Sequence, residues 1–79
     1  METIDLTIEE VKERENELAQ VKQELESVLL QQQIAKGQGD LSENSEYEIA
    51  TVEAARLQAR KQELLEELSN YNIITPGTG

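Results

Sequence analysis

Residues 36–48 read Lys-Gly-Gln-Gly-Asp-Leu-Ser-Glu-Asn-Ser-Glu-Tyr-Glu, and they separate two long segments that contain neither glycine nor proline. Glycine tolerates the backbone conformations that a reversal of the chain requires, so Gly37 and Gly39 predict a turn between two helices. The first segment extends from Thr7 to about residue 36, and the second from about residue 41 to residue 70. This stretch therefore predicts a hairpin rather than one long helix.

Both segments repeat apolar residues with a period of 3.5, which is typical of a coiled coil. We call the repeat positions the seam. The seam positions are Val11, Arg14, Leu18, Val21, Leu25, Val28, Gln32 and Ala35 in the first segment and Tyr47, Ala50, Ala54, Leu57, Lys61, Leu64, Leu68 and Tyr71 in the second.

The numbering of the seam positions favours antiparallel pairing within one chain. If the chain reverses near residue 41, Val11 lies opposite Tyr71 and Ala35 opposite Tyr47, and no layer is polar on both sides. A parallel dimer would instead place Arg14 against Arg14 and Lys61 against Lys61, which is unfavourable. We therefore predict an all-α fold, an antiparallel two-helix coiled-coil hairpin with an acidic tip.

The expected domain organisation follows from these boundaries. Residues 1–74 form the hairpin, with a first helix at about 7–36, a tip at 37–43 and a second helix at about 41–70. Thr7 and Glu10 have the spacing of a capping box, which supports the predicted start of the first helix. Residues 75–79 are expected to be a flexible tail or the start of a linker to a further domain.

The composition excludes several classes of function. The 79 residues include 17 acidic and 7 basic side chains, for a formal net charge of −10, and no Cys or His. Thiolate zinc sites, disulfides and cysteine nucleophiles are therefore excluded, and the usual general base near neutral pH is missing. The negative charge opposes autonomous binding to DNA or to anionic membranes. With no apolar run long enough to span a bilayer and no signal peptide, we expect a cytoplasmic protein.

Four acidic residues, Asp40, Glu43, Glu46 and Glu48, fall within nine positions at the predicted reversal. The simplest interpretation is helix capping, since Asp40 is a good N-cap and Glu43 completes a capping box three residues later. Capping does not account for the glycines before Asp40 or for the residues that follow Glu43.

Residues 39–47, Gly-Asp-Leu-Ser-Glu-Asn-Ser-Glu-Tyr, closely resemble the tip motif of the bacterial Gre transcript-cleavage factors, GreA and GreB. The lead at residues 6–8 and the exit at residues 68–74 resemble the same family, so the likeness covers nearly the whole chain. It implies that the hairpin enters the secondary channel of RNA polymerase. There the tip would help the polymerase to cleave the 3′ end of its own backtracked RNA.

The resemblance also implies roles for individual residues. Asp40 and Glu43 would be the catalytic residues, which help to hold a second Mg²⁺ together with polymerase carboxylates and position the attacking water. Because two carboxylates are too few to hold Mg²⁺ tightly alone, we expect an accessory factor rather than an enzyme. The implied polymerase contacts or tip supports are Leu41, Asn44, Glu46 and Tyr47, and the implied contact to the nascent RNA 3′ end is Lys36.

Some interpretations stay open at this point. Tyr47 also fits a purely structural role in the last layer of the seam, and Lys36 also fits a solvated charge. The chain departs from the family at residues 49–52, Ile-Ala-Thr-Val, where Gre factors usually carry a basic side chain. It also stops where Gre factors continue into a C-terminal domain, so we expect an excised N-terminal domain or a short homologue.

Two other functions remain as alternatives. One is a channel-binding regulator of polymerase that lacks cleavage activity. The other is a structural coiled coil that oligomerises, and self-association is possible for the hairpin in isolation. The apolar residues outside the strict seam that would support self-association are Leu29, Leu30, Ile34, Ile49, Val52 and Leu65.

Overall fold

The computed structural model describes residues 3–37 and 45–75. In chain order the elements are β1 (Ile4–Leu6), α1 (Ile8–Gly37), α2 (Ser45–Ser69) and β2 (Tyr71–Ile73). The two helices pack antiparallel along their length and form a rod whose Cα atoms extend 63 × 23 × 15 Å. The predicted helical hairpin is confirmed.

The first helix begins with the capping box that the sequence predicts. The main-chain N–H of Thr7 donates to Glu10 Oε1 (2.9 Å), and the N–H of Glu10 donates to Thr7 Oγ1 (3.1 Å). These bonds provide acceptors for two N–H groups near the start of α1, where the helix itself offers none. The bond from the Thr7 N–H also lowers the pKa of the Glu10 carboxyl, because this donor favours the charged form.

The seam is the core of the hairpin. Within the described helices, every seam position is buried or half-buried. Leu57 and Leu64 are 2% and 0% exposed, and they lie at the centre of the main apolar cluster. The residues of that cluster are Val21, Leu25, Ala54, Leu57 and Leu64, with Leu18 and Val28 packed against them.

A small parallel sheet closes one end of the rod, next to the start of α1 and the end of α2. β1 pairs with β2 in a register that sets Ile4 beside Tyr71 and Leu6 beside Ile73. The N–H of Ile74 also donates to the carbonyl oxygen of Leu6 (2.9 Å), and the Leu6 side chain is buried. The sheet thus joins the two termini of the hairpin.

The sheet is the part of the fold that the repeat pattern of the sequence did not predict. The repeat pattern predicted Tyr71 as the last seam position, whereas α2 ends at Ser69 and Tyr71 is the first residue of a strand. Strands that continued along two antiparallel helices would themselves be antiparallel. Parallel pairing therefore requires a change of direction between helix and strand, and the chain bends at Asn70.

Neither α1 nor α2 contains a stretch apolar enough to cross a lipid bilayer.

Candidate functional site at the distal end of the hairpin

The distal end is the end of the rod opposite the sheet, where α1 ends at Gly37 and α2 begins at Ser45. Four of the predicted site residues belong to the segment that joins these two positions, and they lie outside the described residues. They are Asp40, Leu41, Glu43 and Asn44. The structure describes the other three, Lys36, Glu46 and Tyr47.

Lys36 is exposed in the last turn of α1. A positive charge is favourable there, because the carbonyl groups at a helix C-terminus carry partial negative charge. The Lys36 ammonium forms no ion pair with any carboxylate in residues 3–37 and 45–75. Its charge therefore faces solvent and is not neutralised by the described part of the hairpin.

Glu46 and Glu48 lie in the first turn of α2, where the helix dipole favours negative charge. Glu46 is exposed, whereas Tyr47 between them is half-buried at its seam position. The Tyr47 side chain is therefore partly shielded from solvent, whereas Glu46 lies at the surface. The two residues share the distal end but occupy different environments.

A chain of hydrogen bonds crosses the seam close to Tyr47. The hydroxyl of Thr51 donates to the carbonyl oxygen of Tyr47, one turn earlier in α2 (2.8 Å). A threonine hydroxyl has one proton, so the same oxygen accepts the bond from Gln32 Nε2 of α1 (2.9 Å). We call this arrangement of Gln32, Thr51 and the Tyr47 carbonyl the polar link.

The repeat pattern identifies Gln32 as a polar seam residue but does not identify Thr51 as its partner. A long amide in an apolar seam was the available signal, because a polar group that leaves water needs a hydrogen-bond partner. Thr51 lies one residue outside the strict seam, so the repeat pattern did not identify it. The pairing depends on the register of the two helices.

An open groove of about 420 Å³ runs along one side of the distal end. Ile34 of α1 and Ile49 of α2 contribute to its wall, although their side chains are 56% and 68% exposed. Glu46 and Glu53 are its acidic members. This distal groove combines an apolar floor with negative charge.

The arginines of the hairpin are engaged by its own carboxylates. Arg60 of α2 donates two hydrogen bonds to Glu17 of α1, each 2.7 Å long, and these bonds lower the pKa of Glu17 and raise that of Arg60. Arg14 Nε lies 2.5 Å from Glu67 Oε1 and forms a second bridge between the helices. The remaining arginine, Arg56, pairs with Glu53 within α2.

No metal-binding cluster is present in the described ranges 3–37 and 45–75, where no three acidic side chains come together in a suitable arrangement. Asp40 and Glu43, the metal residues predicted from the sequence, lie outside these ranges. The carboxylate oxygens of these residues are donors of the type that Mg²⁺ prefers. Two such groups leave most of the coordination positions of the ion to water or to a partner.

Comparison with known proteins adds independent information. The family model described as "Transcription elongation factor, N-terminal" (GreA and GreB) matches residues 4–73. Transcription elongation factor GreA of Solidesulfovibrio magneticus is 35% identical over 78 residues, which are 99% of this chain and 48% of that protein. GreA of Thermosipho africanus is 43% identical over 74 residues, which are 92% of this chain and 47% of that protein.

GreA of Ureaplasma parvum is 48% identical over 48 residues, which cover 61% of this chain and 31% of that protein. The chain thus spans at most about half the length of these curated relatives. No solved structure matches the chain.

Proposed function

The chain belongs to the family of Gre transcription elongation factors, of which it represents the N-terminal domain, and on this premise we propose that it stimulates RNA cleavage by a backtracked RNA polymerase. The hairpin enters the secondary channel, and its acidic tip reaches the active centre. The observation that carries this proposal is the motif at residues 39–47, which begins after α1 and ends in the first turn of α2, at one end of a narrow rod.

The dimensions of the hairpin support a role that depends on reach. The rod is 63 Å long but only 23 × 15 Å in cross-section. The chain leaves the described region at Gly37 and re-enters it at Ser45, both at the distal end. A rod of this shape is suited to carrying residues 38–44 into a recessed site, because its stiffness comes from the seam rather than from a wide core.

The chemistry divides between the two proteins. Asp40 and Glu43 supply carboxylate oxygens to a site completed by polymerase carboxylates, and they orient the attacking water. When bound, a second Mg²⁺ stabilises the attacking and leaving oxygens of phosphodiester hydrolysis. This chain is then an accessory factor, since the catalytic centre belongs to the polymerase.

The surrounding residues take supporting roles in this proposal. Leu41, Asn44, Glu46 and Tyr47 brace the tip or contact the polymerase, and the half-buried position of Tyr47 favours bracing for that residue. Lys36 contacts the nascent RNA 3′ end, which is supported by its exposure and by the absence of an ion pair with any carboxylate in residues 3–37 and 45–75. Such a factor works in the compartment of the polymerase, the bacterial cytoplasm.

The test replaces the two tip acids in the complete natural protein that contains this chain. Asp40→Asn and Glu43→Gln preserve side-chain size and remove the charges. We expect each variant to slow the cleavage of RNA in backtracked complexes by about 10²-fold, as is typical when a positioned catalytic group is lost.

The matched control is Glu9→Gln, which removes one charge from an exposed residue at the sheet end of α1. It should leave cleavage unchanged. Wild-type cleavage by both tip variants would refute the proposed role of Asp40 and Glu43. Polymerase binding without any cleavage by the wild-type protein would instead support a channel-binding regulator.

A further inference from the structure

The seam has a different composition at the distal end than in the middle of the rod. The main apolar cluster extends toward the distal end only as far as Val28 and Ala54. Beyond it, the seam positions before the helix ends are Gln32, Ala35, Tyr47 and Ala50. Alanine side chains leave little to interlock, and Leu-rich layers of the kind that hold the middle of the rod are missing from the described distal seam.

Small residues such as Ala35 and Ala50 specify the axial register of two helices weakly, because they offer no bulky side chain that must fit a particular hole. Tyr47 is the one aromatic side chain among the described distal seam positions, and it is half-buried. A shift by one residue moves a helix about 1.5 Å along its axis. Such a shift is small on the scale of the rod, but it is large for a group that must be positioned for catalysis.

The polar link supplies the missing specificity. Its two hydrogen bonds, of 2.9 and 2.8 Å, run from the Gln32 amide through the Thr51 hydroxyl to the Tyr47 carbonyl. Hydrogen bonds weaken steeply when distance or angle departs from the optimum, so they distinguish registers that the two alanines would distinguish poorly. Gln32 is five residues from Gly37, and Thr51 is six residues from Ser45.

We propose that the polar link is a register lock, which fixes α1 against α2 at the distal end and thereby positions the helix ends that flank residues 38–44. A polar residue at a seam position sets register at the expense of stability, since an apolar side chain there would pack better. Gln32 and Thr51 are thus positioning residues. Their effect on cleavage rests on the proposed function, but the lock itself does not.

The chain offers a matched comparison at another polar seam position. Lys61 is half-buried at the same repeat position as Gln32, one turn from the central leucines Leu57 and Leu64. Unlike Gln32, it makes no hydrogen bond or ion pair with a residue in 3–37 or 45–75. Replacing either residue by leucine should stabilise the seam, because leucine packs better there. Only the replacement at position 32 should also make the register of α1 against α2 less well defined.

The first experiment measures the register directly. The chain contains no cysteine, so Gln33→Cys and Glu48→Cys provide two unique attachment sites for spin labels. Both positions are exposed, one near the distal end of α1 and the other near that of α2. Pulsed electron paramagnetic resonance then gives their distance distribution. We expect a narrow distribution in the otherwise wild-type chain and a broadened or shifted one in Gln32→Leu and in Thr51→Val, which keeps the shape of threonine.

Two controls distinguish the effect of the polar link from a change in the packing of the seam. Thr51→Ser retains the hydroxyl and should keep the narrow distance distribution, and Lys61→Leu should leave the distribution unchanged. Thermal melts should show that Gln32→Leu and Lys61→Leu both raise Tm. An unchanged distance distribution in both Gln32→Leu and Thr51→Val would overturn the proposal.

The second experiment tests the consequence for function in the complete natural protein. Gln32→Leu should slow RNA cleavage several-fold although it raises Tm, whereas Lys61→Leu raises Tm without slowing cleavage. A purely structural role predicts that activity follows stability. If Asp40→Asn and Glu43→Gln leave cleavage unchanged, the proposed function fails, while the distance measurements still decide the lock.

Discussion

At the scale of single residues, charged side chains stabilise the hairpin mainly through particular hydrogen bonds. Glu10 accepts a main-chain bond at the start of α1, and Glu17 accepts two bonds from Arg60 across the helices. Glu53 is paired with Arg56 on α2. In each case the hydrogen bond lowers the pKa of the carboxyl, because the donor favours its charged form.

The first residue-scale prediction concerns the pH dependence of the Glu17–Arg60 bridge. The pKa of Glu17 is lower in the folded hairpin than in the unfolded chain, where it is about 4.3. Its stabilising contribution is therefore fully present above that pH and is lost as the pH falls through the lower folded pKa. We expect the Tm difference between wild type and Glu17→Gln to be largest near neutral pH and to shrink toward pH ~3.

Thermal melts followed by circular dichroism at several pH values measure this difference. The control is Glu15→Gln, which removes a charge from an exposed residue of α1. Glu15 forms no ion pair with a residue in 3–37 or 45–75. A Tm difference for Glu17→Gln that stays constant between pH 7 and pH ~3 would contradict the role of the bridge.

At the scale of the elements, α2 depends on a few leucines in the seam. Leu64 is fully buried, whereas its neighbour Leu65 is 38% exposed. This difference arises from the 3.5-residue period, which turns one of the two side chains toward α1 and the other away from it.

The element-scale prediction uses this pair. Leu64→Ala should reduce the free energy of unfolding by about 2–5 kcal/mol, because it removes buried apolar surface and leaves a cavity. Leu65→Ala is the matched control and should reduce the free energy of unfolding by much less, because the Leu65 side chain is 38% exposed. Chemical denaturation monitored by circular dichroism gives both values, and similar losses for the two variants would show that Leu64 is not a core residue.

At the scale of the whole molecule, the rod leaves several large apolar side chains in solvent. Leu30, Ile34, Ile49 and Val52 are each more than half exposed, and all four lie in the distal half of the described helices. Covering exposed apolar side chains with a partner is favourable, because it removes apolar surface from water. In isolation, the partner available to the chain is a second copy.

We therefore expect the 79-residue chain to self-associate at high concentration. Sedimentation equilibrium over a wide concentration range should show a weak dimer, and Ile49→Gln should weaken it because the exposed side chain of Ile49 contributes to the apolar surface. Ala59→Gln, at an exposed position nearer the sheet end of α2, is the control and should leave the association unchanged. A chain that remains monomeric at every concentration would contradict this expectation.

Much of this architecture could be read from the sequence because it depends on local spacing. The seam needs only the period of the apolar residues, and the cap of α1 needs only Thr7 and Glu10 three positions apart. The antiparallel pairing followed from the positions of Arg14 and Lys61, which suit opposite apolar partners better than copies of themselves. The chemistry proposed for Asp40 and Glu43 likewise comes from the motif in which they occur.

Tertiary structure decided the features that join residues far apart in the chain. Strands of three residues are too short to show an alternating pattern, so the pairing of Ile4–Leu6 with Tyr71–Ile73 became visible only once the helices had brought both ends together. The polar link arose in the same way, because Gln32 and Thr51 are neighbours only in one register of α1 against α2. Periodicity specifies which face of each helix is buried, whereas the contacts between distant segments depend on how the whole chain packs.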